Sequence, residues 1–219
     1  MQIALDGPAG AGKSTVAKAI ARELGIVYLD TGAMYRAVAL YMTEHNIAPE
    51  DTAAVEKALE GVELSIEYEQ GQQRICLCGR DVSDAIRENH VSAAASRFSA
   101  IPAVRRFLVQ MQQQLAGKND CVLDGRDIGT FVLPQADFKF YLTADAGERA
   151  RRRAAELEAR GEAADVEKIQ KEIEARDYAD SHREFAPLRR AEDAVLVDST
   201  HMTASAVTDF IIHTIKEGK

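Results

Sequence analysis

The stretch Gly7-Pro8-Ala9-Gly10-Ala11-Gly12-Lys13-Ser14 matches the pattern G-x-x-x-x-G-K-[ST] at every specified position. The apolar residues 2–6 before it have the composition of a short buried strand, and residues 13–24 after it carry apolar side chains at helical spacing. A glycine-rich loop between a strand and a helix turns backbone N–H groups and the helix N-terminus toward an anion. The stretch therefore predicts a phosphate-binding loop, or P-loop.

The residue types after the glycines indicate which class of anion the loop binds. In such a loop Lys13 can reach the β- and γ-phosphates of a nucleoside triphosphate, and the hydroxyl of Ser14 can bind Mg²⁺. Ser14 is thus the predicted metal-binding residue. The residues predicted to bind the triphosphate are Gly7, Pro8, Ala9, Gly10, Ala11, Gly12, Lys13, Ser14 and Thr15.

The composition excludes several classes of protein. The chain has 219 residues, 46% of them hydrophobic, and a net charge of −8. That composition is typical of a globular protein. The net negative charge is opposite in sign to that of a non-specific nucleic-acid binder. No apolar stretch reaches the roughly 20 residues that cross a bilayer. Residues 1–6 lack the basic start of a signal peptide, and the three cysteines cannot all pair. We expect a reduced cytoplasmic protein, without membrane or nucleic-acid partners, that is a monomer.

Hydrophobic patterning predicts the α/β class. Short apolar stretches typical of buried parallel strands alternate with amphipathic helices. The predicted strands are 2–6, 26–30, 121–124, 138–142 and 194–197. The predicted helices are 13–24, 33–45, 51–60, 84–98, 102–116, 145–160, 165–184 and 203–216.

Residues 61–117 have a different pattern. Residues 62–68 and 74–78 alternate apolar and polar side chains around a turn at 69–72, which indicates an antiparallel hairpin. We predict a three-layer P-loop fold with a central parallel five-stranded sheet, an inserted α+β lobe and a short helical lid. The core is 1–60 and 118–219, with the lid at about 148–165, and the insertion is 61–117.

A second anion site is predicted at the carboxyl ends of two other strands, where ligands of open parallel sheets bind. The segment Asp30-Thr31-Gly32-Ala33-Met34-Tyr35-Arg36 follows the second strand. Thr31 can donate a hydroxyl or cap the helix, and Tyr35 can pack on a sugar. The segment Asp124-Gly125-Arg126-Asp127-Ile128-Gly129-Thr130 follows the third and combines glycines with charged side chains. Asp124 could lie near the metal. A kinase for a small phosphate acceptor needs such a second site.

Two further groups of charged residues share helix faces. Arg176, Asp180 and Arg183 have the spacing i, i+4, i+7, and Arg149, Arg152 and Arg153 have the spacing i, i+3, i+4. The second helix ends at Arg160-Gly161. Each group is either a phosphate-binding face, the second one on a mobile lid, or a solvated face of surface ion pairs.

In these segments the chain resembles the bacterial cytidylate kinases, a family within the nucleoside monophosphate kinase branch of P-loop proteins. The resemblance extends along nearly the whole chain. It includes Arg176-Asp177, Ala186-Pro187-Leu188 and Asp198-Ser199-Thr200. The segment from Asp124 to Thr130 and the β-rich insertion are much more specific to this family than the P-loop is.

The resemblance implies the reaction ATP + (d)CMP → ADP + (d)CDP with Mg²⁺ as cofactor, and it implies roles for the candidate residues. Thr31, Arg36 and Arg126 would hold the phosphate of CMP. Ser96, Arg105 and Asp127 would read the cytosine, and Arg176 and Asp180 would face the pentose. Arg183 would bridge the substrate and the transferred phosphoryl group, and Arg152 resembles the lid arginine. Lys13, Arg126, Arg152 and Arg183 are the implied catalytic residues.

Two alternatives stay open at this point. The acceptor could be another small molecule, such as UMP, AMP or shikimate. The chain could also be a P-loop sensor that binds the nucleotide without transferring phosphate, although a sensor has no use for the arginines of a second phosphate site.

Overall fold

The computed structural model of the chain describes residues 1–69, 72–159 and 161–218, with only the backbone at Glu69 and Gln72. The residues divide into two compact units, the first formed by Met1–Tyr28 with Asn119–Lys219 and the second by Leu29–Lys118. The second unit contains the predicted insertion and also residues 29–60. Gln70 and Gly71 of the predicted turn, and Arg160 at the predicted helix end, lie outside the described residues.

The elements of the described residues follow the predicted order. The strands are β1 (Gln2–Asp6), β2 (Val27–Asp30), β3 (Leu64–Glu69), β4 (Gln72–Leu77), β5 (Arg80–Asp81), β6 (Cys121–Gly125), β7 (Phe138–Thr143) and β8 (Val195–Asp198). The α-helices are α1 (Lys13–Leu24), α2 (Thr31–Glu44), α3 (Thr52–Leu59), α4 (Asn89–Phe98), α5 (Pro102–Ala116), α6 (Ala146–Glu158), α7 (Val166–His182) and α8 (Ala204–Lys216).

The central sheet confirms the predicted α/β fold. Its described strands have the order β2-β6-β1-β7-β8. β1 pairs in parallel with β6 and β7, and β7 pairs in parallel with β8. The register places Asp6 opposite both Gly125 and Tyr141, so the carboxyl ends of three strands meet where the P-loop begins.

The core of the first unit lies between this sheet and its helices. Fully buried Leu5, Phe140 and Leu142 of the sheet pack with Ile20 of α1 and Ile211 of α8. A separate small cluster joins α6 to α7. Its buried members are Ala150, Ala154, Ile169 and Ile173. The P-loop and two helix pairs are thereby held in one unit.

The second unit contains an antiparallel sheet, as predicted, with the described order β3-β4-β5. Ile66 lies opposite Ile75, and Cys76 lies opposite Asp81. α2 packs against α4, and α3 packs against α5. The predicted helix 84–98 was wrong in one respect. A 3₁₀ turn (Ala85–Arg87) comes first, and extended Glu88 separates it from α4.

The structure bears on two predictions, that the cysteines are reduced and that no segment crosses a membrane. Cys76, Cys78 and Cys121 are free thiols. Burial raises the pKa of Cys121 to about 11, which keeps this thiol protonated and unreactive near neutral pH. None of the helices within the described ranges is long and apolar enough to span a bilayer.

Candidate active site

The P-loop leaves β1 at Asp6 and enters α1 at Lys13. Gly7 has a φ of +150°, and a Cβ there would collide with the carbonyl oxygen of Leu142. Gly12 at the start of α1 has a left-handed φ of 86°, and no side chain of the described residues caps the helix. The N–H groups of the first helical turn therefore face the loop without intrahelical partners, as phosphate binding requires.

Lys13 is buried beneath this loop and donates to the carbonyl oxygen of Pro8 at 2.7 Å. Burial lowers the pKa of its ammonium group well below the usual value, and Arg126 adds to the lowering. Asp124 and Asp6 raise it by less. A bound triphosphate would bring further negative charge beside Lys13, which favours the charged form of its ammonium group.

Ser14, the predicted metal-binding residue, is hydrogen-bonded to Asp124. The Ser14 hydroxyl donates to Oδ2 of Asp124 at 2.7 Å, and the Tyr28 hydroxyl donates to Oδ1 at 3.1 Å. A hydroxyl and a carboxylate suit Mg²⁺, which takes oxygen ligands and completes its shell with water and phosphate oxygens. The described residues contain no group of three or more His, Cys, Asp or Glu that could hold a metal by themselves.

Asp6 is a buried carboxylate at the end of β1 that the sequence analysis did not single out. Its Oδ1 accepts from the N–H of Ile128 at 2.8 Å, and its Oδ2 accepts from Gly129 at 2.7 Å. Burial raises the pKa of Asp6 to about 7, and the two N–H groups oppose the shift. The carboxylate thus holds the π-helical turn (Ile128–Val132) that follows Asp127.

Four of the predicted residues form one charged cluster. Arg126 Nε donates to Asp180 Oδ2 at 2.8 Å, and Arg183 Nη1 lies 3.6 Å from Asp180 Oδ1. Arg183 Nη2 donates to Asp127 Oδ1 at 3.3 Å. Burial raises the pKa of Asp180, but Arg126, with Arg176 and Arg183, outweighs burial and leaves the pKa below its usual value. Asp180 is therefore ionised and orients both arginines.

The predicted face of three arginines on α6 separates in the structure. Arg149 is buried, whereas Arg153 is partly exposed and pairs with Glu156. Arg152 donates to the Ser199 carbonyl oxygen at 2.7 Å and pairs with Glu148. The helical spacing is correct, but these side chains have different environments because different neighbours cover them.

The second unit carries the remaining candidates at the start of α2. Asp30 caps α2, because its Oδ1 accepts from the N–H of Ala33 at 2.8 Å. The cap is Asp30 and not Thr31, which is the first residue of α2 and is buried. Arg36 Nη2 donates to Asp30 Oδ2 at 3.3 Å, and Arg36 Nε is buried without a hydrogen-bond partner among the described residues. Arg36 therefore keeps donor capacity for an anion.

Arg105 is 1% exposed in α5 and donates to the carbonyl oxygen of Ser99 at 3.2 Å. Its guanidinium lies 5.4 Å from the centre of the Tyr35 ring. Ser96 is half-buried in α4, and its carbonyl oxygen accepts from Ser99. Gln73 of β4, which was not among the predicted residues, accepts through its Oε1 from the N–H of Asp30. Only the alternation of polar residues in the hairpin could have indicated it.

Comparison with known proteins shows the family of the chain. The profile of the cytidylate kinase family matches residues 3–217. A cytidylate kinase of Halalkalibacterium halodurans is 48% identical over 217 residues, which cover 99% of this chain and 98% of the relative. A cytidylate kinase of Streptococcus sanguinis is 50% identical over 212 residues, covering 96% and 94%. In fold alone, the chain is similar to the shikimate kinase structure from Bacteroides thetaiotaomicron. The TM-score is 0.50 at 12% identity, with 99% of this chain and 98% of that chain covered. The chain belongs to the cytidylate kinase family.

Proposed function

We propose that the protein transfers the γ-phosphoryl group of ATP to CMP and dCMP, giving ADP with CDP or dCDP. The observation that carries this proposal is the cluster of Arg126, Asp180, Arg183 and Asp127 in the unit that holds the P-loop. Two arginines oriented by buried carboxylates have no use in a protein that only senses ATP. They suit the charge of a phosphoryl group in transfer.

The proposed mechanism needs no strong base, because the nucleophile is already a phosphate oxygen anion. The protein positions the two substrates and neutralises negative charge on the moving phosphoryl group. Lys13, Arg126 and Arg183 would supply positive charge. Mg²⁺, when bound with ATP, supplies further neutralisation, and Ser14 and Asp124 are the residues that would hold it.

The acceptor contacts are proposed from the family pattern and supported by the chemistry of the residues. Thr31 and Arg36 would bind the phosphate of CMP. Ser96, Arg105 and Asp127 would read cytosine, because a carboxylate accepts from the exocyclic amine and a guanidinium donates to the ring acceptors. Uracil reverses part of this pattern, so discrimination against UMP would follow. Asp180 and Arg176 would face the pentose.

We further propose that residues at about 148–165 act as a lid. Phosphoryl transfer to CMP requires that water be excluded, since water would otherwise hydrolyse ATP. Arg152 would then exchange its contact with Ser199 for a phosphate oxygen. That exchange is local, because Arg152 is already partly exposed.

The decisive experiment is an ADP-release assay with MgATP and the acceptors CMP, dCMP, UMP, AMP, GMP and shikimate. We expect turnover with CMP and dCMP far above the other acceptors. In Asp127→Asn the preference for CMP over UMP should collapse, and the exposed control Asp209→Asn should keep it. Turnover with another acceptor would overturn the cytosine assignment. ATP binding without any acceptor-dependent turnover would favour the sensor alternative.

A further inference from the structure

We infer that Arg149 of α6 and Asp177 of α7 are a pair of positioning residues that hold the P-loop at Ala9 and set its affinity for ATP. Arg149 has so far been only one of three arginines on a candidate phosphate-binding face, and neither Arg149 nor Asp177 has been given a contact with the P-loop. The inference rests on the proposed function only in that the P-loop binds ATP.

The two side chains contact both sides of one residue. Asp177 Oδ1 accepts from the N–H of Ala9 at 3.1 Å, and Arg149 Nη1 donates to the Ala9 carbonyl oxygen at 2.9 Å. The same Nη1 lies 2.5 Å from Asp177 Oδ2, which joins the two residues in an ion pair. Arg149 Nε donates to the carbonyl oxygen of Ala144 at 2.9 Å and so fixes the guanidinium plane.

The environment makes this pair different from a surface ion pair. The Arg149 side chain is 7% exposed and that of Asp177 is 20% exposed. Charge-assisted hydrogen bonds shielded from water are stronger and better defined than exposed ones. The hydrogen bonds to Ala9 therefore constrain the loop instead of exchanging freely with solvent.

Gly10 gives a second, independent observation at the same place. A Cβ on Gly10 would lie 3.3 Å from Arg149 Cβ and 3.7 Å from Ile173 Cδ1, so both helices approach the loop backbone directly. Gly10 has a φ of +74°, which a side chain would strain. The loop is packed against α6 and α7 at Gly10 and hydrogen-bonded to them at Ala9.

The consequence is preorganisation of the phosphate-binding N–H groups. Lys13 holds the carbonyl of Pro8, Asp177 holds the N–H of Ala9, and Arg149 holds its carbonyl. With these groups held in place, the peptides from Ala11 to Ser14 keep one orientation before ATP arrives. Binding then needs little further ordering of the loop, which increases affinity.

The test compares Asp177→Asn, Arg149→Met and the double variant with two matched controls. Glu174→Gln makes the same chemical change on the exposed face of α7, and Arg151→Met removes an exposed arginine of α6. Calorimetry without an acceptor gives the Kd of each variant for the Mg²⁺ complex of a non-hydrolysable ATP analogue, and a separate titration gives the Kd for CMP. Steady-state assays give KM for ATP and kcat.

In Asp177→Asn, an amide N–H replaces the oxygen that faces Arg149. The ion pair is then broken, while the side chain at position 177 keeps nearly the same volume. We expect the Kd for the ATP analogue and KM for ATP to rise about tenfold or more in both single variants. The Kd for CMP should stay within about twofold of the wild type, as should every value for the controls. In the Arg149→Met background, Asp177→Asn should add less than it does alone, because the pair acts as a unit.

Three results would overturn the inference. The first is single variants that bind the ATP analogue as the controls do, and the second is a Kd for CMP that rises by the same factor. The third applies if a lone buried charge prevents the single variants from folding. In that case the neutral double variant is measured, and an affinity for the ATP analogue equal to that of the wild type would overturn the inference. Failure of the wild type to phosphorylate any acceptor would overturn the proposed function and leave the comparison of ATP affinities intact.

Discussion

The carboxyl group of Asp6 changes charge near neutral pH, because burial raises its pKa from the usual range to about 7. In the unfolded chain the same group ionises near pH 4, so between pH 4 and 7 the folded state binds the extra proton. The free energy of unfolding therefore falls as pH rises through this range and levels off above it. At about 1.4 kcal/mol per pKa unit, ionising Asp6 costs roughly 4 kcal/mol more in the folded protein than in the unfolded chain.

Asp6→Asn should remove this pH dependence. The amide has one acceptor oxygen, so one of the two N–H partners loses its acceptor, at about 1–3 kcal/mol independent of pH. Urea unfolding between pH 5 and 8 should show the loss of stability relative to wild type shrinking as pH rises. Asp209→Asn, at an exposed position of α8, should show a constant difference. A constant difference in Asp6→Asn as well would contradict the assigned titration.

Lys13 gives a second prediction at the scale of one residue. A lysine whose pKa falls on folding destabilises the folded state at every pH below its unfolded pKa. We expect Lys13→Met to melt no lower than the wild type, yet to lose about 100-fold or more in kcat. Calorimetric melting and ADP release measure the two effects. Lys57→Met, on the exposed face of α3, should change neither. A loss of activity that merely followed a loss of stability would argue against a catalytic role.

At the scale of the element, the start of α2 joins a helix cap to a predicted binding residue. Asp30 caps α2 and also pairs with Arg36, whereas Asp51 caps α3 with the same chemistry and faces solvent. Both Asp30→Ala and Asp51→Ala should lower the free energy of unfolding by about 1 kcal/mol. Only Asp30→Ala should raise KM for CMP, since Arg36 loses its orientation. Equal KM values in the two variants would separate Arg36 from substrate binding.

At the scale of the whole molecule, the net charge of −8 coexists with anionic ligands because the arginines and Lys13 concentrate positive charge locally. Each ligand that binds only the folded state should raise the melting temperature. At a concentration 100 times Kd the stabilisation is about 2.7 kcal/mol, which corresponds to roughly 5–10 °C for a chain of this size. Scanning calorimetry with MgATP, CMP and dCMP should show such shifts, and UMP should give a smaller one. A shift with UMP as large as that with CMP would contradict base discrimination by Asp127 and Arg105.

Elements whose signal lies in a few neighbouring residues could be predicted from the sequence alone. The P-loop needs glycine at Gly7, where a Cβ would collide with the carbonyl oxygen of Leu142, and favours it at Gly12, where φ is +86°. The helix α1 was predicted to the residue at both ends. The parallel strands were predicted within one or two residues, because a strand buried on both faces is apolar throughout. β5 was missed, since two exposed residues, Arg80 and Asp81, carry no periodicity and pair only because β4 is beside them.

Which charged side chains are buried, and which partners they contact, depends on tertiary packing. Helical spacing placed Arg149 and Arg153 on one face of α6, but spacing does not say which neighbour covers that face. Asp177 was quoted only as part of a motif, although its carboxylate meets Ala9, 168 positions away in the chain. Asp6 and Ile128 are likewise brought together by the parallel register of β1 and β6. Such contacts depend on how distant segments pack, and a linear pattern of residue types does not contain that information.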